Sequence, residues 1–326
     1  MKHIQIGILS ADKEGREFLA KSWGKKGTTS DLSIWVTQDQ EFLLTTILPE
    51  GYPKKVLSLV TTAHMSDEVV VAVSAKGLDA TVGESAMLVD CLGMHGILAV
   101  LGTDTAGLNS YLDQMKKTFA KLSLANWKGI MISDGKGSQN ARDILYNQFK
   151  SHEDKKDNYL AIDVDHSFPV QGVGSVILGT IKSGTIVKGQ KITVYPSGQS
   201  GQVRSIQVND EDVKEAGPGT HVGLAMKGIL PKYLERGSVI TSQGNTEVTE
   251  VETLEISIKK AAFGKPPTNG TKIHVMAGLF DTPAEIVEWG EKVSIKFDKI
   301  TPFYPDMRIT LLNLNTQPAL IGSRKF

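Results

Sequence analysis

The chain has 326 residues, more than one ordinary domain holds, so two or three domains are expected. Its 40% apolar and 22% charged content excludes a disordered or fibrous protein and leaves enough apolar residues for ordinary cores. Because 36 basic residues balance 36 acidic ones, no net field draws it to nucleic acid or membrane, and any RNA contact has to come from a local patch. A single cysteine, Cys91, excludes an internal disulfide and points to a cytoplasmic setting. Beside Met87, Leu88 and Leu92 it reads as a small buried hydrophobe. No apolar run approaches membrane-spanning length, and the N-terminus lacks the apolar core of a signal peptide.

The alternating run His3-Ile4-Gln5-Ile6-Gly7-Ile8-Leu9 predicts a first strand, and a helix opens after it. Further strands are predicted at 32–37, 42–48, 69–73, 97–101 and 130–132. Those at 69–73 (VVVAV) and 97–101 (ILAVL) are apolar throughout, as strands covered on both faces of a parallel sheet must be. Helical patterns fill the intervals at 53–65, 83–94, 108–122 and 138–150, each with apolar residues three and four apart. The first half is therefore α/β, a doubly wound parallel sheet. The charged run SHEDKKDN at 151–158 reads as a linker. Beyond it, GSVILGTIKSG, QKITVYPSG, QVRSIQVND and THVGLAMKG resemble successive barrel strands separated by Gly and Pro turns. A second β-rich block begins near Glu247 with ETLEISIKKA, TKIHVMAG, EKVSIKFDK and MRITLLNL. The expected organisation is an α/β domain at 1–152, a β-barrel at 158–243 and a second β-barrel at 247–326.

The stretch GILSADKEGREFL, at 7–19, joins the first strand to the first helix. A strand, a Gly-bearing turn and a helix are the setting of a phosphate-binding loop, G-x-x-x-x-G-K-[ST]. Here the loop is Ser10-Ala11-Asp12-Lys13-Glu14-Gly15-Arg16-Glu17. One glycine is kept, lysine has become arginine, and the magnesium-binding hydroxyl has become a carboxylate.

In the second half, FPVQGVGSVILGTIKSGTIVKGQKITVYP and AGPGTHVGLAMKGILPKYLERGSVI follow the pattern of the second domain of the translation elongation GTPases of the EF-Tu type. The closing RITLLNLNTQPALIGSRKF is similar to the last strands of their third domain. Within that superfamily the chain resembles the selenocysteine-specific factor SelB most, and archaeal SelB-like paralogues, the pyrrolysine-associated factor among them, are the nearest relatives expected. The resemblance implies a P-loop GTPase-like α/β domain followed by two β-barrel domains, GTP/GDP with Mg as cofactor, tRNA or the ribosome as partner, and no membrane.

Carried over by motif, the first loop glycine falls on Ser10, the second on Gly15, the lysine on Arg16 and the magnesium hydroxyl on Glu17. The switch threonine falls on Thr29, in Gly27-Thr28-Thr29. D-x-P-G-H falls on Leu48-Pro49-Glu50-Gly51-Tyr52, so the aspartate is lost, Gly51 is kept, and Tyr52 stands at the water-orienting histidine. N-K-x-D falls on Leu101-Gly102-Thr103-Asp104 and the last motif on Ser133. The nucleotide-binding candidates are thus Ser10, Gly15, Arg16, Glu17, Thr29, Gly51, Asp104 and Ser133, with Glu17 and Thr29 as the magnesium candidates. The strand GQVRSIQVND matches the wall of the family's aminoacyl pocket, making Arg204 and Gln207 the aminoacyl-tRNA candidates. Asp104 is either a guanine ligand or a loop cap, Thr29 either a magnesium ligand or a turn threonine, and Arg204 either a pocket residue or an exposed strand residue.

The losses weigh on hydrolysis more than on binding. Gly15 and Arg16 are expected to face a phosphate, with Glu17 holding it off. A carboxylate about 4 Å from a phosphate oxygen costs about 4 kcal/mol at an effective dielectric near 20. A magnesium ion bridging the two reverses that sign. Leu48 cannot hold magnesium through its water shell and Tyr52 replaces histidine poorly, so no catalytic residue is intact and little or no GTP hydrolysis is expected. His3, His64, His95, His152, His166, His221 and His274 show no metal-ligand spacing, and there is no G-x-S-x-G. Two functions follow: a SelB/EF-Tu-like factor with weak GTP binding that carries aminoacyl-tRNA, or a pseudo-GTPase acting as an RNA- or protein-binding module.

Overall fold

The computed structural model describes residues 2–74, 77–102, 105–151 and 159–324, without the side chains of 28 and 105–109. The chain forms two compact units. The first is Met1–Glu153 with Ile258–Pro266 and Asn313–Lys325; the second is Asp154–Ser257 with Pro267–Leu312. Most of the linker expected at 151–158 lies outside the described residues.

In the first unit the order is β1 (Lys2–Leu9), α1 (Lys13–Trp23), β2 (Lys25–Thr29), β3 (Ser33–Gln38), β4 (Phe42–Leu48) and α2 (Val56–Met65). There follow β5 (Glu68–Ser74), α3 (Ala80–Cys91), β6 (His95–Leu101), α4 (Thr105–Thr118), β7 (Lys128–Ile132) and α5 (Gly135–Lys150). The sheet order is β2-β3-β4-β1-β5-β6-β7. The five strands from β4 to β7 run parallel, and β3 and β2 are added antiparallel at one edge. This is the expected α/β sheet, with one strand the sequence did not disclose: β2 (KKGTT) has no apolar alternation and exists because β3 offers it an edge to pair with.

Because β1 lies between β4 and β5, successive crossovers leave it in opposite directions, and the order switches at its C-terminal end. That end leads into residues 10–16. Ile4, Ile6 and Ile8 form one core with Leu19, Ala20 and Trp23 of α1 and Ala141 and Leu145 of α5. On the opposite face the C-terminal end of α2 comes so close to β1 that a Cβ on Gly7 would lie 2.5 Å from Ser66 Oγ and 3.1 Å from Thr62 Cγ2, and a larger residue would have to displace them. The same unit holds the strand Leu320–Arg324, paired antiparallel with the end of Thr249–Lys260. From that pair Lys259 Nζ reaches Asp90 of α3, 2.9 Å from Oδ2 and 2.7 Å from the carbonyl oxygen.

Two β-barrels follow the α/β sheet, as expected. The first runs through Lys191–Tyr195, Val239–Ser242, Ala161–Val170, Gly174–Ser183, His221–Lys227 and Gln199–Val208, closed by pairing of Lys191–Tyr195 with Gln199–Val208. Ile162, Val164, Ile177, Ile192, Val203 and Leu224 fill it. The second is closed by Thr249–Lys260, Lys292–Phe303, Phe280–Trp289, Lys272–Ala277, Ile309–Leu312 and Leu320–Arg324. Among the described residues no helix is long and apolar enough to cross a membrane.

Candidate functional site

The end of β1 and the start of α1 hold most of the residues that the motif register singles out. Asp12 is the N-cap of α1: its backbone is extended and its carboxylate accepts the Gly15 N–H at 3.2 Å. An amide at a helix N-terminus is the group that would otherwise face an anion, and here the protein supplies the anion itself. The Asp12 N–H in turn donates to Ser10 Oγ at 3.1 Å. A Cβ on Gly15 would lie 2.5 Å from Leu101 Cδ1 and 2.7 Å from Asp12 Oδ2, so these two side chains would have to shift to admit one.

Arg16 does not face outward as expected. It is 1% exposed, the largest of the fully buried side chains, and its guanidinium serves the protein's own backbone. Nη1 donates to the Ser10 carbonyl at 2.8 Å and reaches the Tyr52 carbonyl at 3.5 Å, while Nη2 lies 3.9 Å from Glu50 Oε2. Burial lowers the guanidinium's pKa, and the nearby carboxylates of Glu50, Glu17 and Asp12 oppose that shift. The group stays charged, so its carbonyl and carboxylate partners are what make its burial tolerable. Glu17 points to the helix surface, 38% exposed and 3.8 Å from Lys13 one turn earlier.

Thr29 is exposed on the edge strand β2, opposite Ser33. Leu48 is buried at the end of β4. The Gly51 N–H donates to the Asp31 carbonyl at 3.1 Å, and a Cβ on Gly51 would collide with Ser58 Oγ. Tyr52 is buried, its hydroxyl 2.9 Å from the Thr81 carbonyl and 3.1 Å from Glu84 Oε2 at the start of α3. Burial first, and Glu84 second, raises its pKa, so the phenol stays protonated. Ser133 is exposed beside Asp134, which caps α5 through the Gly137 N–H. Asp104 lies outside the described residues.

These residues do not fit a magnesium-bound nucleotide in the manner of the motifs. The helix amide is capped by Asp12, the cation of the loop is buried, Glu17 and Thr29 sit on the surface, and Leu48 and Tyr52 are in the core. No cluster of three or more His, Cys, Asp or Glu able to hold a metal occurs among the described residues.

The first barrel carries an open groove of about 1000 Å³, lined among others by Val170, Arg204, Lys227, Ile229 and Leu230. Arg204 Nη1 donates to the carbonyls of Gly172 and Val173, at 3.2 and 3.0 Å, which holds the guanidinium against the tip of the 170–174 turn. Gln207 donates instead to Asp212 Oδ1 at 3.0 Å across a hairpin and is not part of the groove lining. The two aminoacyl-tRNA candidates are thus not brought together.

Sequence reasoning missed a cluster in the same barrel. Buried Asp165 lies 2.6 Å from His166 Nδ1 and 2.7 Å from His221 Nε2. Burial by itself would raise the Asp165 pKa, but His221 and His166 bring it below the usual carboxylate range. Burial would lower the His221 pKa, and Asp165 raises it instead. The two histidines are far apart in sequence and come together because both their strands pair with Gly174–Ser183; the adjacency of Asp165 and His166 was the one signal available.

The model of the Elongation factor Tu domain 2 family matches residues 174–241. An uncharacterized protein of Methanocaldococcus jannaschii is 27% identical over the full length of both chains. The selenocysteine-specific elongation factor of the same organism is 28% identical over 92% of this chain and 69% of its own. In structure, translation elongation factor SelB from Methanococcus maripaludis, crystallised with the GTP analogue GPPNHP, superposes with a TM-score of 0.88 at 23% identity, covering 99% of this chain and 78% of the other. Barrel pattern, domain order and these likenesses agree: the chain is similar to translation elongation factors of the EF-Tu and SelB type, in sequence and in fold.

Proposed function

We propose that this chain is a SelB-like factor that holds the acceptor end of an aminoacyl-tRNA on its first barrel, while its α/β domain binds guanine nucleotide weakly and does not hydrolyse it. The observation that carries the reading is the groove, where the cations Arg204 and Lys227 stand beside Val170, Ile229 and Leu230. Cations meet phosphates and apolar walls take base faces, the pairing that single-stranded RNA ends require. Leu230, 59% exposed, supplies apolar surface at the rim. Filter binding of aminoacylated and deacylated tRNA to the full chain tests it. Arg204→Ala should weaken binding about tenfold and lower the salt dependence by about one phosphate contact. Equal binding by wild type and Arg204→Ala would reject the groove as the RNA site.

A second reading, a pseudo-GTPase that binds RNA or protein only, is favoured by the nucleotide-loop geometry rather than by the barrel. Titration with GTP and magnesium separates the two: weak heat with magnesium dependence supports the first, and none supports the second.

A further inference from the structure

We propose that Arg16 takes the place of a nucleotide phosphate as the tie between the 10–16 loop and the 49–52 segment, so that the conformation of the α/β domain does not depend on guanine nucleotide. The inference deepens the reading above and rests on its view of this site as a poor nucleotide binder.

A ligand moves a protein between two conformations only through contacts made in one and lost in the other. A phosphate would join two loops by accepting N–H groups from both. In this chain the two loops are already joined, with the polarity reversed: a buried cation donates to carbonyls. Arg16 Nη1 is 2.8 Å from the Ser10 carbonyl at the end of β1 and 3.5 Å from the Tyr52 carbonyl, and Nη2 is 3.9 Å from Glu50 Oε2. The amide that would turn toward a phosphate, that of Gly15, is bonded to Asp12. The 49–52 segment is held from two further sides. The Gly51 N–H donates to the Asp31 carbonyl, and the Tyr52 hydroxyl is anchored at the start of α3 on the Thr81 carbonyl. Releasing Arg16 would leave a buried charge without partners, so the tie does not open and close with ligand.

Hydrogen exchange read by mass spectrometry on the full chain tests this. In the wild type, millimolar GTP or GDP with magnesium should leave exchange over 8–16 and 48–56 unchanged. Arg16→Met should speed exchange in both segments by about tenfold or more, the equivalent of losing a charged hydrogen bond, and leave 161–242 unaffected. Arg16→Lys, which keeps the charge but not the fork, should restore part of the protection. If Arg16→Met does not fold, Glu50→Gln, which removes only the carboxylate charge, should still speed exchange over 48–56 several-fold. Nucleotide-induced protection of 48–56 in the wild type overturns the proposal, as does unchanged exchange there in the variants. RNA binding that requires GTP also overturns it. Absence of all RNA binding, with the exchange pattern as expected, rejects the barrel reading and leaves the tie supported.

Discussion

Glu68 opens β5 and is buried, and desolvation, reinforced by Asp67, raises its pKa from 4.5 to about 8. An acid whose folded pKa lies above its unfolded one costs stability progressively across the interval where only the unfolded state ionises, and favours folding least above both values. Stability should therefore be highest below about pH 4.5 as far as this group is concerned, fall through the interval up to about 8, and level off above it. The slope is at most about 1.4 kcal/mol per pH unit. Glu68→Gln should flatten that part of the profile in urea titrations run across the interval, and a variant as pH-dependent as the wild type would assign the effect elsewhere. Glu17 makes the opposite kind of prediction. It is partly exposed and paired with Lys13, an arrangement worth only about 0.5 kcal/mol, and the cation that should have met a phosphate is buried behind it. Glu17→Thr should change GTP affinity by less than about tenfold in isothermal titration, far below the Coulomb limit for a charge in contact with phosphate. A larger gain would show a usable phosphate nest that needs no outward Arg16.

Among elements, α1 shows how local rules and packing compete. In an isolated helix, replacing glycine by alanine gains about 1 kcal/mol. Gly15→Ala should instead destabilise by about 1–3 kcal/mol, because the new methyl would meet Leu101 Cδ1 at 2.5 Å and Asp12 Oδ2 at 2.7 Å. Denaturant midpoints decide the sign. The pair between α3 and the strand ending at Lys260 offers a second test. Asp90 is buried, accepts the Ser123 N–H at 2.8 Å, and is 2.9 Å from Lys259, whose side chain is 43% exposed. Lys259→Met keeps the aliphatic stem and removes the charge, leaving one carboxylate oxygen short of a partner. Exposure on the lysine side discounts the loss to about 1–2 kcal/mol. The helices and parallel strands were legible because their apolar spacing is written locally, and so were the apolar runs at 69–73 and 97–101 that the sheet buries. Strand β2 was not, since its residues carry no periodicity and acquire strand geometry only from a neighbour.

For the molecule as a whole, a ligand bound only by the folded state raises its stability by about 2.7 kcal/mol at a hundredfold excess over Kd, a shift of several degrees in Tm for domains of this size. Millimolar GTP with magnesium should move Tm by no more than about one degree in this range of sizes. A shift of several degrees would demonstrate tight binding and contradict the loop geometry. The sequence by itself determined the architecture: an α/β sheet followed by two barrels, because burial pattern and turn chemistry are short-range, and the likeness to elongation factors, because the barrel motifs at 168–196 and 216–240 are contiguous. Which way the motif residues of the α/β domain point was decided only by the tertiary structure. Arg16 next to a glycine turn has the same letters whether it meets a phosphate or two carbonyls, and the choice depends on the Ser10 carbonyl of its own loop and on Glu50 and Tyr52 converging on it from another segment. The Asp165, His166 and His221 cluster arose in the same way, from strands that pair with the same neighbour, Gly174–Ser183, since the energy of a buried charge is set by partners that are distant in the chain.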